Sequence, residues 1–227
     1  MKYEVILFDA DDTIYDYSLA EAHVLKSVFL EHQIELMQSH VEQYRLVNQQ
    51  LWNDYEKGKV TLDFLRHERF RRLFAEIRVD LNAGYFSERY VKYLGEGSFL
   101  IEGSEVLIQQ LLSCGHRTAI ITNGIKQTQH SRIGRSSLAN SFEHIIVSEE
   151  TGYSKPHTGI FDYAFNKLNI TDKSKVLMVG DSLTSDIQGG INYGIDTCWF
   201  NPKNKTNESA LNPTYEIQRL EELLRII

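Results

Sequence analysis

The stretch that decides the fold is "VILFDADDTIYDY", residues 5–17. Its first four residues, Val5 to Phe8, form a continuous apolar run, which is typical of a parallel strand that is buried on both faces. Four aspartates follow within eight residues: Asp9, Asp11, Asp12 and Asp16. Folding gains nothing from crowding like charges at the end of a buried strand, so we expect some of these carboxylates to perform chemistry.

The bulk composition excludes several classes of protein. The chain has 227 residues, enough for one large domain or a core with an insertion, and its formal net charge is −7. A net acidic chain argues against a broad basic face for nucleic acid polymers. The apolar run at the N-terminus is too short for a signal peptide, and no stretch approaches the roughly 20 apolar residues of a membrane helix. We therefore expect a cytoplasmic protein with neither a nucleic acid nor a membrane as partner.

The chain has two cysteines, Cys114 and Cys198. Neither belongs to a CxxC pair or to a Cys/His set with metal-binding spacing. Two reduced core thiols suit the cytoplasm, where disulfides are rare, and we predict that state. A single disulfide between the two residues is the alternative.

Four further apolar runs lie in the second half of the chain and alternate with segments of helical spacing. The runs are residues 118–122, 144–147, 176–180 and 197–200, and the helical segments are 104–114, 125–138, 158–168 and 184–193. Alternating strands and helices indicate βαβ units with right-handed crossovers. The predicted fold class is α/β, a doubly wound, Rossmann-like parallel sheet. "TYEI" (214–217) and "LEELLRII" (220–227) predict a last strand and a closing helix.

Residues 17–97 contain no strand-like run and no proline. "SLAE" and "SHVE", beginning at Ser18 and Ser39, have the form of capping boxes, and Thr61 can cap a third helix. A fourth helix is predicted near residues 88–94, before two glycines. The aromatic residues spaced like the core of such a helical block are Trp52, Tyr55, Phe64 and Phe70, and stacking of one of them on a base is the alternative. We predict an all-helical cap domain, residues 17–97, inserted into an α/β core of residues 1–16 and 98–227.

Polar side chains follow each predicted strand that can reach one edge of the sheet. Ligands of open parallel sheets bind at the carboxyl ends of the strands. The residues expected there are Asp9, Asp11 and Thr13, then Thr122, Asn123 and Gly124, then Lys155, and finally Asp181, Ser182 and Asp186. Chance placement of polar loop residues would seldom supply all four strands, so we expect a common site.

These groups suit the transfer of a phosphoryl group. Asp9 can act as a carboxylate nucleophile and form an acyl-phosphate. Asp11 lies two residues further on and points to the same side of an extended strand, where it can protonate a leaving oxygen and then activate water. Lys155 and the Thr122 hydroxyl are candidates for binding phosphate oxygens, and the Asn123 amide can contact either phosphate or Asp9.

A cation is expected between these acidic groups. Asp181 can join Asp9 and a main-chain carbonyl near Asp11 in a cage made only of oxygen atoms, which suits Mg²⁺. A carboxylate and a phosphate repel each other, by roughly 4 kcal/mol per unit charge pair at about 4 Å and an effective dielectric constant near 20. Cancelling that repulsion is the first task of the metal ion.

Four short motifs in this order, "DADDT", "TNG", "SKP" and "GDSLTSD", resemble those of the haloacid dehalogenase-like (HAD) hydrolase superfamily. The resemblance covers nearly the whole chain, because the helical insertion lies where that superfamily carries its C1 cap. It implies that Asp9 is the nucleophile and Asp11 the acid/base. It also implies phosphate binding by Thr122 and Lys155, Mg²⁺ binding by Asp9, Asp181 and the main-chain oxygen of Asp11, and orientation of a metal-bound water or of Lys155 by Asp186.

Two details indicate which members of the superfamily the chain resembles most. Dehalogenases of the superfamily lack the second aspartate, so Asp11 favours phosphate ester chemistry. Asp12, where many members have glycine, and the string "ITNG" resemble the house-cleaning pyrimidine 5′-nucleotidase subgroup. The resemblance thus implies a Mg²⁺-dependent phosphohydrolase that acts on a small phosphorylated substrate, a nucleoside 5′-monophosphate.

Other functions are compatible with parts of this pattern. On the same scaffold they are a sugar-phosphate phosphatase, a phosphoglycolate phosphatase and a phosphomutase. In other classes they are a phospho-receiver signalling domain and a catalytically inactive binding protein. Some residues also have structural interpretations: Asp12 as a loop residue on the other side of the strand, Asp16 as a hinge or helix cap, and Asp186 as the cap of the next helix.

Overall fold

The computed structural model describes residues 2–227. The chain divides into two compact units. The core unit consists of the residues up to Tyr17 together with Ser98–Ile227, and the helical unit is Ser18–Gly97. We propose that the helical unit is the cap domain that the sequence predicts for residues 17–97. Within residues 2–227, no helix has both the length and the apolar composition needed to cross a lipid bilayer.

The core unit is built on a six-stranded sheet. Its strands are β1 (Val5–Phe8), β2 (Arg117–Thr122), β3 (Ile145–Val147), β4 (Val176–Gly180), β5 (Asp196–Phe200) and β6 (Tyr215–Ile217). Their order is β3-β2-β1-β4-β5-β6, and every neighbouring pair is parallel. In register, Phe8 at the end of β1 lies opposite Ile120 and Val179. The predicted α/β fold class is confirmed, and the carboxyl ends of β2, β1 and β4 lie side by side.

The central strand β1 is buried on both faces. Ile6 and Phe8 belong to the apolar cluster on one face of the sheet, and Val5 and Leu7 belong to the cluster on the other. This is the two-residue alternation of a strand, and it explains why the run has no polar position. Burying each such side chain is worth roughly 1.5–3 kcal/mol, so the sheet is a firm support for the residue that follows it, Asp9.

The helical unit contains four helices. They are α1 (Tyr17–Glu31), α2 (Gln38–Glu56), α3 (Leu62–Ile77) and α4 (Ala83–Glu96), of which Tyr17 belongs to the core unit. Phe70 is fully buried, and its ring centroid lies 4.8 Å from that of Phe86 and 5.1 Å from that of Tyr90. Phe64, predicted as a core residue, is 45% exposed instead, because it lies on the outer face of α3.

Of the predicted starts of these helices, some are confirmed by the structure and others are wrong. Thr61 caps α3 as predicted, because its Oγ1 accepts a hydrogen bond of 3.2 Å from the Phe64 N–H. The capping box predicted at Ser39 was wrong, since α2 begins at Gln38 after Met37. Helix α4 begins earlier than predicted, because the side chain of Asn82 accepts a hydrogen bond of 3.0 Å from the Tyr85 N–H.

Among residues 2–17 and 98–227, the core unit carries five more α-helices. They are α5 (Ser104–Ser113), α6 (Lys126–Arg135), α7 (Ser148–Thr151), α8 (Thr158–Leu168) and α9 (Gln188–Tyr193). The helix predicted over residues 184–193 is divided, with a π-helical turn at Leu183–Ile187 before α9. The predicted closing helix is a 3₁₀ helix, Leu220–Arg225, a form that proteins use in short pieces.

Candidate active site

Lys155 lies at the centre of the candidate site. Its side chain is 1% exposed, and its ammonium nitrogen donates to a carboxylate oxygen of Asp9 at 2.6 Å, to the Ile121 carbonyl oxygen at 2.6 Å and to a carboxylate oxygen of Asp186 at 2.7 Å. An ammonium group has three N–H donors, so all three are used. The lysine therefore holds the end of β1, the end of β2 and the π-helical turn in one arrangement.

Asn123 fixes the backbone of Lys155. Its side-chain oxygen accepts a hydrogen bond of 2.8 Å from the Lys155 N–H, and its side-chain nitrogen donates one of 2.9 Å to the Lys155 carbonyl oxygen. The sequence predicts Asn123 as a phosphate ligand. In the structure its amide binds the lysine backbone, which satisfies two buried main-chain groups at once, and phosphate binding by Asn123 stays a prediction.

Asp186 binds Lys155 and caps its own turn. One carboxylate oxygen accepts from the lysine, and the other accepts a hydrogen bond of 3.0 Å from the Ser182 N–H. The carboxylate approaches the sheet closely, since a Cβ on Gly180 would lie 2.2 Å from Asp186 Oδ2. The glycine that ends β4 is thus required by packing. These contacts favour Asp186 as a partner of Lys155, in accord with the sequence.

Asp181 has a different environment. Asp9, Asp181 and Asp186 each offer a carboxylate oxygen, and the three oxygens lie within 4.8 Å of one another. Among residues 2–227, no side chain donates a hydrogen bond to the Asp181 carboxylate, whereas Asp9 and Asp186 share Lys155. Carboxylate oxygens crowded in this way are the ligands that Mg²⁺ prefers. The residues present therefore fit a divalent cation.

The charges in this group are not balanced by the protein alone. Burial raises the pKa of Asp181 well above its ordinary value, and the neighbouring carboxylates of Asp186 and Asp9 raise it further. Burial likewise raises the pKa of Asp9 to about 7, although the Lys155 ammonium opposes that shift. Burial alone would lower the pKa of Lys155, but the two carboxylates that it contacts raise it overall. A bound cation would stabilise the ionised carboxylates.

The chain turns immediately after Asp9. Strand β1 ends at Phe8, and the Ile14 and Tyr15 N–H groups both donate to the Ala10 carbonyl oxygen, at 3.1 and 2.9 Å. Asp12 lies in the turn in a left-handed conformation, with φ 55°, which Asn and Asp tolerate better than other residues. The strand alternation used to predict the direction of Asp11 therefore does not extend past Phe8. Other contacts orient this carboxylate.

Two residues of α6 bind the carboxylate of Asp11. The Gln129 side-chain nitrogen donates to Oδ2 at 2.6 Å, and Arg132 Nη2 lies 2.5 Å from Oδ1. Neither residue was predicted from the sequence. A signal was present, because Gln129 and Arg132 share the buried face of α6 with Ile133, and polar groups on such a face need partners.

Thr122 lies where the sequence predicts it, at the end of β2. It is 1% exposed, and its hydroxyl oxygen accepts a hydrogen bond of 3.0 Å from the Gly124 N–H. The hydroxyl hydrogen remains available as a donor for a phosphate oxygen. One edge of the sheet thus brings together five of the predicted site residues: Asp9, Thr122, Lys155, Asp181 and Asp186. The carboxylate of Asp11 is bound by two residues of α6.

Comparison with known proteins shows to which family this chain belongs. Residues 6–200 match the model of the haloacid dehalogenase-like hydrolases. The chain is 40% identical to YfnB of Bacillus subtilis, a protein assigned to the HAD-hydrolases, over 100% of this chain and 96% of that protein. It is 34% identical to the pyrimidine 5′-nucleotidase YjjG of Escherichia coli, over 100% of this chain and 99% of that protein.

Solved structures agree with this assignment. A crystal structure of Bacillus subtilis YfnB bound to magnesium has a TM-score of 0.94 and 40% identity, and the match covers 100% of this chain and 99% of that one. The L-2-haloacid dehalogenase of Xanthobacter autotrophicus has a TM-score of 0.79 at 14% identity, over 99% and 98% of the two chains, and shares the fold. The family predicted from the four motifs is confirmed: the chain belongs to the haloacid dehalogenase-like hydrolases.

Proposed function

We propose that the protein is a Mg²⁺-dependent phosphatase that hydrolyses pyrimidine nucleoside 5′-monophosphates through an aspartyl-phosphate on Asp9. The observation that carries this proposal is the difference between two nearby carboxylates. Asp9 shares a buried ammonium with Asp186, whereas Asp11 is held by a guanidinium and an amide from another element. The two carboxylates thus have separate partners, which supports separate roles: attack on phosphorus for Asp9 and proton transfer for Asp11.

Family and relatives support the class of reaction. The predicted enzyme class, a phosphoric monoester hydrolase, is confirmed by the family match and by nucleotidase relatives. A second such relative, the pyrimidine 5′-nucleotidase PynA of Streptococcus pneumoniae, is 34% identical over 99% of this chain and 94% of that protein. These two relatives favour a nucleotide as the small phosphorylated substrate.

The donor set supports Mg²⁺ as the cofactor. The carboxylates of Asp9 and Asp181 and the main-chain oxygen of Asp11 would hold the ion, and the YfnB crystal contains magnesium. When bound, Mg²⁺ supplies positive charge that reduces the repulsion between carboxylate and phosphate. Lys155 adds a second positive charge beside Asp9; its own N–H donors are already used, so it acts on the phosphate mainly through its field.

The first chemical step forms the aspartyl-phosphate. An Asp9 oxygen attacks phosphorus, and the bond between phosphorus and the substrate's ester oxygen breaks. Asp11 in its protonated form donates a proton to that oxygen, which leaves as an alcohol. The Thr122 hydroxyl is available to donate to a non-bridging phosphate oxygen while negative charge shifts during the transfer.

The second step regenerates the enzyme. Asp11, now ionised, takes a proton from a water molecule whose oxygen attacks the phosphorus of the aspartyl-phosphate. The bond between phosphorus and the Asp9 oxygen breaks, inorganic phosphate is released, and Asp9 is again a carboxylate. Asp11 ends the cycle protonated, as it began.

Phosphate release from a panel of esters tests the proposal. With Mg²⁺, the wild-type protein should hydrolyse uridine and thymidine 5′-monophosphates. Asp9→Asn should lower the rate by at least about 10³-fold, because an amide is a poor nucleophile. The neighbouring Asp12→Asn is the control, because asparagine also tolerates the left-handed turn.

The outcomes separate the parts of the proposal. Undiminished phosphate release by Asp9→Asn would contradict the assigned nucleophile. Hydrolysis of phosphoglycolate, or of glyceraldehyde 3-phosphate as by the 30% identical phosphatase of Pyrococcus abyssi, with neglect of pyrimidine nucleotides, would overturn only the substrate. No release from any ester would overturn the proposed function itself.

A further inference from the structure

We propose that Gln129 and Arg132 of α6 are positioning residues that orient the Asp11 carboxylate for proton transfer. This inference rests on the proposed phosphatase function. Gln129 Nε2 donates a hydrogen bond of 2.6 Å to Oδ2, and Arg132 Nη2 forms an ion pair with Oδ1 at 2.5 Å, without the alignment of a hydrogen bond. A hydrogen bond on one oxygen and an ion pair on the other restrict the rotation of the carboxylate more than one contact does.

The two positioning residues also hold each other. Arg132 donates from Nε and Nη2 to Gln129 Oε1, at 3.1 and 2.8 Å. Asp11, Gln129 and Arg132 therefore form a closed triangle in which every side chain contacts the other two. Gln129 and Arg132 are each 1% exposed, and hydrogen bonds are stronger at such buried positions than in water.

An aromatic side chain completes the support of this triangle. The Arg132 guanidinium carbon lies 5.1 Å from the centre of the Tyr15 ring, within the range of a cation–π contact. The Tyr15 hydroxyl lies 2.9 Å from Ser136 Oγ, just beyond the end of α6. Tyr15 also closes the turn that carries Asp11, because its carbonyl oxygen accepts a hydrogen bond of 2.8 Å from the Asp12 N–H. Tyr15 thus supports both partners of the ion pair between Asp11 and Arg132.

The glycine of the "TNG" motif makes room for Gln129. A Cβ on Gly124 would lie 1.9 Å from Gln129 Nε2, the atom that donates to Asp11. Any side chain at this position would displace the amide from the carboxylate. Gly124 therefore links the loop that follows Thr122 to the position of the Asp11 carboxylate.

The contacts indicate that both residues act through Asp11. Their polar atoms are directed at Asp11 and at each other, whereas the Asp11 side chain itself is 31% exposed and can reach a ligand. An unsupported aspartate can rotate among several rotamers, and only a fraction of these aim an oxygen at the ester. Misplacement by about 1 Å can cost on the order of 10²-fold in rate.

The experiment compares two esters whose leaving groups differ. Gln129→Met and Arg132→Met remove the polar contacts, and the exposed Gln127→Met and Arg135→Met on the same helix are the matched controls. Uridine 5′-monophosphate releases an alkoxide that needs a proton, while p-nitrophenyl phosphate releases a stable phenolate. We expect kcat for the nucleotide to fall about 10- to 10³-fold with KM changed less than about threefold. The loss with the nitrophenyl ester should be at least about tenfold smaller.

A second background isolates the role of Asp11. In Asp11→Asn, adding Gln129→Met should cost no further activity, because residues that act as a unit are not additive. Arg132→Lys should recover part of the activity lost in Arg132→Met. Thermal unfolding and circular dichroism report the fold of each variant, and Gln129→Met decides the question if Arg132→Met does not fold.

Several results would overturn the inference. These are equal losses with both esters, additive losses in the Asp11→Asn background, activity no lower than in the matched controls, and an increase in activity. If the wild-type protein hydrolyses the nucleotide and Gln129→Met behaves like Gln127→Met, the positioning role fails and the proposed function stands. If the wild-type protein hydrolyses neither ester, the proposed function fails first.

Discussion

The Lys155 ammonium nitrogen lies 2.6 Å from a carboxylate oxygen of Asp9, a residue 146 positions earlier in the chain. The same ammonium contacts Asp186 at 2.7 Å. Two carboxylates and one ammonium leave this buried group negative, before Asp181 is counted. The charge balance at the end of β1 thus depends on the loop after β3 and on the turn after β4.

Replacing Lys155 by methionine should impair both activity and stability. Lys155→Met leaves two buried carboxylates without their cation, and breaking a buried ion pair costs about 3–5 kcal/mol. The loss should fall below that range near neutral pH, because Asp9, with its pKa raised to about 7, can take up a proton. Chemical denaturation measures the change, and the exposed Lys167→Met is the control. Equal unfolding midpoints for the two variants would contradict the prediction.

Mg²⁺ should stabilise the protein more at pH 8 than at pH 6. The pKa of Asp9 is raised from 3.8 to about 7, so the stability that its proton contributes is fully present below about pH 4 and is lost as the pH rises through 7. Mg²⁺ binds the ionised carboxylates, and its binding free energy adds to the stability of the folded state. Thermal unfolding with and without Mg²⁺ at the two pH values checks this.

Two variants test the residues behind that pH dependence. Asp181→Asn should remove most of the gain in unfolding temperature on adding Mg²⁺, because it takes away one of the expected carboxylate ligands. Asp9→Asn should reduce the difference between pH 6 and pH 8 in the metal-free protein. A full Mg²⁺ effect in Asp181→Asn would show that the ion binds elsewhere.

Two glycine substitutions should change stability in opposite directions. In Gly180→Ala the new Cβ would lie 2.2 Å from Asp186 Oδ2, so the carboxylate must move away from Lys155, and we expect a loss of about 1–3 kcal/mol. Gly134 lies inside α6, and a Cβ there meets no atom within 4 Å. Gly134→Ala should therefore stabilise the protein by roughly 0.5–1 kcal/mol. Urea denaturation measures both, and a neutral Gly180→Ala would refute the packing argument.

The two cysteines should differ strongly in reactivity. Cys198 is buried as predicted, whereas Cys114 is exposed and is not the core residue that the sequence predicts. Burial raises the pKa of Cys198 to about 12, which keeps it in the unreactive thiol form. A disulfide-exchange reagent should therefore titrate one thiol in the native protein and two in denaturant. Rapid labelling of both native thiols would disagree with the structure.

The sequence predicts the part of the site that lies at strand ends. Asp9, Thr122 and Asp181 each follow a buried apolar run directly, and parallel strands place such positions together whatever the surrounding loops do. Lys155 was predicted from the motif that contains it. For these residues, the local sequence pattern and the topology of the sheet predict the same position.

The contacts of Asp11 could not be predicted in this way. Its partners Gln129 and Arg132 lie on a helix, and the direction of a helical side chain depends on how the helix rotates against the sheet. The contacts of Asn123 could not be predicted for a related reason: its amide binds the backbone of Lys155, 32 positions away, and no local spacing reveals that pairing.

The first residue of a helix is a second feature that the sequence did not predict correctly in every case. Ser39 begins a string with the form of a capping box, yet α2 starts one residue earlier and carries Met37 before it. Short polar strings of this kind are common, and a cap contributes only about 1 kcal/mol, which packing of the apolar face outweighs.

The central place of β1 in the sheet has a consequence for synthesis on the ribosome. Its neighbours are β2, which begins at Arg117, and β4, which begins at Val176, so β1 stays unpaired while residues 9–116 are made. At about 5–20 residues per second, the nascent chain carries this bare apolar strand for on the order of ten seconds. Ser18–Gly97 is synthesised in full in that interval and can collapse into helices by short-range contacts as it emerges. A chaperone that recognises extended apolar segments would meet Val5–Phe8 during this period.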